Sequence, residues 1–111
     1  MNINKILLTG NLVTDPELKQ INGGKAVVNV SVANNEYYTA ESGDRQKNTI
    51  FVELQIWGKP AEALSRLAKK GQEIYVEGQL RHEKWQDNQG GHHSKHLIRV
   101  DTWQFTQYRS E

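Results

Sequence analysis

A chain of 111 residues, 36% apolar and 24% charged, has room for one domain and one core. Fourteen basic against thirteen acidic residues leave a net charge of only +1, so no general cationic field draws in a polyanion. Cysteine is absent, which excludes disulfides and thiolate metal sites and fits a reducing, cytoplasmic setting. No apolar run nears the roughly 18 residues of a membrane span, and the N-terminal apolar stretch is too short for a secretory signal.

In chain order, residues 5–12 predict a first strand, ended by the turn-favouring pair Asp15-Pro16. Asn22-Gly23-Gly24-Lys25 is a turn signal, and residues 26–34 follow as a β-branched-rich second strand. Tyr37 and Tyr38 then lead into residues 39–48, polar and without apolar periodicity, expected to be an exposed loop. Residues 50–57 form the clearest strand. A helix follows: Pro60 suits its first turn, Ala61, Leu64, Leu67 and Ala68 make an apolar stripe, Lys69 and Lys70 suit its C-terminal dipole, and Gly71 ends it. Two more strands, residues 72–85 and 95–105, flank a polar hairpin loop at residues 86–93. Gly10 and Gly78 fall where strands bend or bulge to close a small barrel.

Three strands, one helix and two strands predict an all-β chain: a five-stranded OB-fold Greek-key barrel with one short helix between strands 3 and 4. An SH3-like barrel is the nearest competitor and normally lacks that helix. One domain over residues 1–107 is expected, with residues 108–111 a short C-terminal end.

Alternation divides the third strand between two environments. Ile50, Val52, Leu54 and Ile56 form an aliphatic core set, whereas Phe51, Glu53, Gln55 and Trp57 share a wet face with an aromatic at each end. Six residues at about 3.3 Å each hold those rings roughly 20 Å apart. In the fourth strand Ile74, Val76 and Leu80 read as core, with Tyr75, Gln79, Arg81 and Trp85 opposite. Basic residues are interleaved with the rings: Arg45 and Lys47 near the loop, Lys59 beside Trp57, and Arg81 and Lys84 near Trp85. Such a surface suits single-stranded nucleic acid, because every base has a π-face and the cations neutralise phosphates. The competing account is that the rings fill cross-strand pairs or a dimer interface. Three large rings together on solvated faces favour the stacking surface.

These residues resemble the bacterial single-stranded DNA-binding protein family. The resemblance is carried by Asn4-Lys5-Ile6-Leu7-Leu8-Thr9-Gly10-Asn11-Leu12 with Asp15-Pro16-Glu17, by Gly23-Gly24 before Ala33-Asn34-Asn35-Glu36, and by Trp57-Gly58-Lys59-Pro60-Ala61-Glu62. Gly71 through Tyr75-Val76-Glu77-Gly78-Gln79-Leu80-Arg81 to Lys84-Trp85 completes it. It implies an OB fold assembled as a homotetramer, usually from paired dimers, that protects single-stranded DNA in replication, recombination or repair. It also implies stacking positions at Tyr38, Phe51, Trp57 and Trp85. Family members typically continue into a Gly/Pro/Gln-rich segment with an acidic tip that recruits replication and repair enzymes. The residues here close on Gln107-Tyr108-Arg109-Ser110-Glu111. If that is the natural end, the chain is expected to coat DNA without those tail-mediated partners; a truncated core is the other reading.

Four histidines, His82, His92, His93 and His96, sit in one segment. No acidic or thiolate partner accompanies them at ligand spacing, so a metal site is not expected, nor is a cofactor. Read instead as a solvated hairpin touching DNA, they gain charge near pH 6.5 and predict modestly tighter binding at pH 6 than at pH 8. No phosphate loop or nucleophile elbow is present, so no enzymatic activity is expected. The alternatives are a replication-restart (primosomal) adaptor of the same fold, dimeric and devoted to protein contacts, and an OB module that binds a protein partner.

Overall fold

The computed structural model describes residues 1–21 and 23–107; the short C-terminal end expected at 108–111 lies outside them. Six strands and one helix follow in the order β1 (Ile6–Leu12), β2 (Leu18–Ile21), β3 (Lys25–Thr39), β4 (Arg45–Trp57), α1 (Lys59–Leu67), β5 (Glu73–Gln86) and β6 (His92–Phe105). They hydrogen-bond in the order β1-β5-β6-β4-β3-β2, and β1 also pairs with β3. That last pairing, Asn11 opposite Ala33 and Leu12 opposite Val32, closes β1, β5, β6, β4 and β3 into a five-stranded barrel. The expected OB barrel is present, with its helix between β4 and β5.

The interior is aliphatic: Val28, Val30 and Val32 of β3, Leu54 and Ile56 of β4, Ile74 and Val76 of β5, and Ile98 and Val100 of β6. Ala61 and Leu64 of α1, with Ala68 just beyond it, add to this cluster, and no polar residue is buried among the described residues. Trp103 packs against the same core and donates its indole N–H to the Pro60 carbonyl at 2.9 Å, joining the end of β6 to the start of α1. It meets Phe105 edge-to-face at 5.1 Å.

Four expectations need correction. β2 was not expected: its four exposed residues pair with β3, and the strand is too short to carry a periodic signal. Half of the loop expected at 39–48 is strand and only residues 40–44 form the turn, because β3 and β4 pair without a break out to Thr39 opposite Arg45. The residues of that two-stranded arm are exposed and mostly polar, with no core to impose alternation. Beyond the barrel the inward parity loses its core, and Ile50 (47% exposed) and Leu80 (44%) are surface residues rather than core. Leu80 lies past the last β1–β5 rung, Ile6 opposite Gly78; the Asn4 amide satisfies its backbone instead, donating to its carbonyl and accepting from its N–H. Finally, α1 stops at Leu67, before Gly71: Ala68 is already extended, Leu67 is exposed, and Lys69 and Lys70 lie beyond the helix.

Gly78 marks the expected irregularity. Between Glu77 and Gly78 the β5–β6 register shifts, with Glu77 opposite Thr102 and Gly78 opposite Val100, so Asp101 is the extra residue of a β-bulge. A Cβ on Gly78 would lie 2.2 Å from the Arg99 carbonyl oxygen. Gly78→Ala must therefore push backbone from backbone, and should cost more than about 2 kcal/mol. Leu54→Ala should cost about 2–5 kcal/mol and Ile50→Ala clearly less, because only Leu54 leaves a cavity. Denaturant midpoints of the three variants check this ranking.

Candidate nucleic-acid interface

In an antiparallel pair, residues directly opposite each other share a face. The β3–β4 register places Trp57 opposite Val27, Gln55 opposite Asn29, Glu53 opposite Ser31, Phe51 opposite Ala33 and Lys47 opposite Tyr37. Trp57, Phe51, Lys47 and Arg45 thus lie on one outer face. Phe51 is 69% exposed, far more than packing within one chain explains. Trp57 is half-buried, and its cross-strand partner Val27 is buried outside the main core.

The β5–β6 arm joins this face through β6, which runs parallel to β4 with Gln55 beside Arg99. Its outward residues pair as Gln79 with Arg99, Arg81 with Leu97, Glu83 with Lys95 and Trp85 with His93. Two side-chain links fasten the arm to the floor. Lys95 pairs with Glu53 at 2.8 Å, and the Gln55 amide donates to Glu83 at 3.3 Å. The Lys95 ammonium is held above its usual lysine range, first by that hydrogen bond to Glu53. It also lies 5.8 Å from the Trp85 ring centre, so it serves a carboxylate and an indole together.

Trp85 is 46% exposed near the end of the arm and stacks with His93, centres 5.5 Å apart and planes 21° apart. His93 is held in turn by Asp87 at 2.7 Å. That carboxylate also accepts from the backbone N–H groups of Gln89 and Gly91, so one aspartate organises the turn. The hairpin loop expected at 86–93 narrows to this turn. His82 and His96 stack on each other at 4.4 Å. No group of three potential metal ligands occurs among the described residues.

The structure assembles the sequence-derived residues unevenly. Phe51, Trp57, Trp85, Arg45, Lys47 and Arg81 share the outer surface. Lys84 sits opposite Trp85 by strand parity but borders the same concavities as that ring. Lys59 is exposed at the start of α1. Tyr38 pairs with Gln46, and parity turns it to the reverse face of the β3–β4 arm. Its neighbour Tyr37 has the parity of Phe51, and the Arg45 guanidinium lies 5.3 Å from its ring centre. All five of those basic residues lack a carboxylate partner among the described residues, where the ion pairs involve only Lys5, His93 and Lys95.

Sequence reasoning missed Tyr37 as the ring of matching parity, and it missed Arg99. A strand mistaken for loop carries no parity, which hid Tyr37. Arg99 stands between Ile98 and Val100, but the Leu97-Ile98 doublet beside it breaks the alternation that would assign β6 its faces.

A Greek-key barrel with exposed rings and unpaired cations on one face belongs to the OB-fold class of oligomer-binding modules. The chain is a member of the Single-strand binding protein family, which it matches over residues 3–106. It is 38% identical over 89 residues to single-stranded DNA-binding protein 1 of Chlorobaculum tepidum, covering 80% of this chain and 55% of that protein. It is 34% identical over 101 residues to the single-stranded DNA-binding protein of Wolinella succinogenes, covering 91% and 62%. The chain therefore spans less than two thirds of the length of these curated relatives. Among solved structures, a deletion mutant of the Thermus aquaticus single-stranded DNA-binding protein superposes with a TM-score of 0.82 at 27% identity, covering 96% of this chain and 52% of that one. A Plasmodium falciparum protein solved with single-stranded DNA shares the fold, with a TM-score of 0.80 at 24% identity over 94% of this chain and 93% of that one. No helix among the described residues is long and apolar enough to cross a membrane.

The turn beneath Trp85 has an acid limit. The His93 hydrogen bond, followed by the Gly91 and Gln89 N–H groups, holds Asp87 below the usual carboxylate range. Its contribution is complete above the ordinary aspartate pKa of about 3.9 and is lost as pH falls through the lower folded value. Amide proton shifts of Gln89 and Gly91 should hold steady from pH 7 to 5 and move together below about pH 4. Asp87→Asn should abolish that step.

Proposed function

We propose that this chain binds single-stranded DNA largely without regard to sequence and performs no catalysis. Bases stack on Phe51, Trp57, Trp85 and a tyrosine of the Tyr37–Tyr38 pair, while Arg45, Lys47, Lys59, Arg81 and Lys84 neutralise phosphates. The observation that carries the reading is Phe51: a phenyl ring standing 69% exposed on a polar face, with unpaired cations along the same face. Family membership supports it, as do relatives whose names state that activity. Duplex DNA hides its base faces, so stacking selects single strands. A net charge of +1 leaves affinity to local cations and stacking.

The family further supports self-association, as a homotetramer, and a cytoplasmic, nucleoid-associated role in replication, recombination and repair. Exposed Leu7, Ile50 and Leu80 are apolar surface available for contact between copies. Tyrosine fluorescence and oligomeric mass are secondary readouts; the decisive one is tryptophan emission.

Titration with poly(dT) should quench that emission strongly, and more weakly as salt rises, while duplex DNA leaves it nearly unchanged. Trp57→Ala and Trp85→Ala should each weaken binding by about 1–3 kcal/mol, the usual range for one stacked base, with the fold intact by circular dichroism. Equal quenching by duplex would remove the stacking mechanism. Comparing Tyr37→Ala with Tyr38→Ala decides which tyrosine carries the fourth position.

A further inference from the structure

Phe51 is an open platform, but Trp57 forms one wall of a concavity of about 570 Å³. That volume falls within the roughly 300–1,000 Å³ typical of small-molecule sites. Ile21 of β2 and Ala26 of β3 supply its apolar lining, and Lys25 and Arg99 stand at it as cations. The indole is held in place: its N–H donates to the Gln55 side-chain oxygen at 2.9 Å, and the Gln55 amide donates on to Glu83. Backbone closes the same region, because the Gly58 N–H donates to the Ala26 carbonyl at 2.9 Å. The left-handed conformation of Gly58 (φ 72°) lets the chain turn there directly after Trp57.

Neither cation is held in an ion pair among the described residues. The ion pairs among the described residues use Lys5, Lys95 and His93, never Lys25 or Arg99. Lys95, on the same strand as Arg99, is by contrast already neutralised by Glu53. Arg99 points outward because the bulge at Asp101 shifts the parity of β6, and its register neighbours are the neutral side chains Gln55 and Gln79. A guanidinium flanked by amides, beside an immobilised indole, matches a phosphate joined to a flat heterocycle.

We propose that this concavity is a one-nucleotide subsite of the bound strand. Arg99 and Lys25 take the phosphate there, and Ile21 and Ala26 enclose the nucleotide against Trp57. The inference rests on the single-stranded DNA reading and adds a cationic pair and an apolar wall outside the stacking set. β2 thereby acquires a role, since it delivers Ile21 to the edge of the site.

The test measures affinity for (dT) oligonucleotides across a salt series for the full chain, Arg99→Gln, Arg99→Lys and Lys25→Gln, with thermal midpoints as a fold check. Arg99→Gln should weaken binding about tenfold and flatten the log K against log [salt] slope by about 0.7, the value for one single-strand phosphate. Arg99→Lys should keep the slope and lose part of the affinity, because charge remains while the planar fork is gone. Lys25→Gln should flatten the slope in the same way from a different strand. Tight wild-type binding with unchanged slopes in both glutamine variants overturns the subsite and leaves the stacking surface standing. A wild-type chain that fails to bind the oligonucleotide overturns both.

Discussion

At Gly78 the backbones of β5 and β6 approach so closely that a single Cβ would lie 2.2 Å from a carbonyl oxygen. The bulge at that point sets which side chains of β6 reach the outer surface. Nearer the C-terminus than Asp101, the odd-numbered residues Trp103 and Phe105 pack on the core; on the other side of it, the even-numbered Ile98 and Val100 do so. One inserted residue thus reverses which side chains of β6 face inward. Without it, Arg99 would point into an aliphatic barrel that holds no buried polar residue among the described residues. With it, Arg99 stands beside Gln55, and Lys95 further along the strand reaches Glu53 of β4.

The same pairing geometry explains why the interface is larger than the barrel. β3–β4 and β5–β6 both outrun their neighbours and continue as two-stranded arms. Neither arm has a core, so each relies on backbone pairing and side-chain links. The β5–β6 arm is fastened to the floor by Glu53–Lys95 and Gln55–Glu83, and its tip by Asp87. These links are at least partly solvated and modest in strength. Their effect is to keep Trp85 on the side of the molecule that carries Phe51.

The barrel was legible because its strands alternate where a core exists to enforce alternation. Leu54 and Ile56 are fully buried, and Phe51 stands outside, as the period of two requires. Legibility failed where that enforcement stops. Ile50 and Leu80 keep inward parity but lie past the end of the core, a boundary set by where partner strands end. The polar arm at 39–48 read as loop because its stability comes from backbone ladder bonds, which leave no mark on side-chain pattern. Arg99 was hidden by the Leu97-Ile98 doublet and the bulge beyond it, which break the alternation that would have assigned β6 its faces.

The adjacent tyrosines of β3 bear on how this arm tolerates change. Its turn is short, spanning residues 40–44, with the Ala40 and Asp44 backbones bonded to each other and Gly43 left-handed. The register of β3 against β4 is fixed in the barrel, since a slip of one position would turn Val28, Val30, Val32, Leu54 and Ile56 out of the core. A change in the arm is therefore absorbed within the arm, as a local bulge. A bulge in β3 ahead of the tyrosines would turn Tyr37 away and bring Tyr38 round, so an aromatic would still stand on the side of Arg45 and Lys47. The adjacent rings make the surface of the arm indifferent to which of its two parities the strand takes.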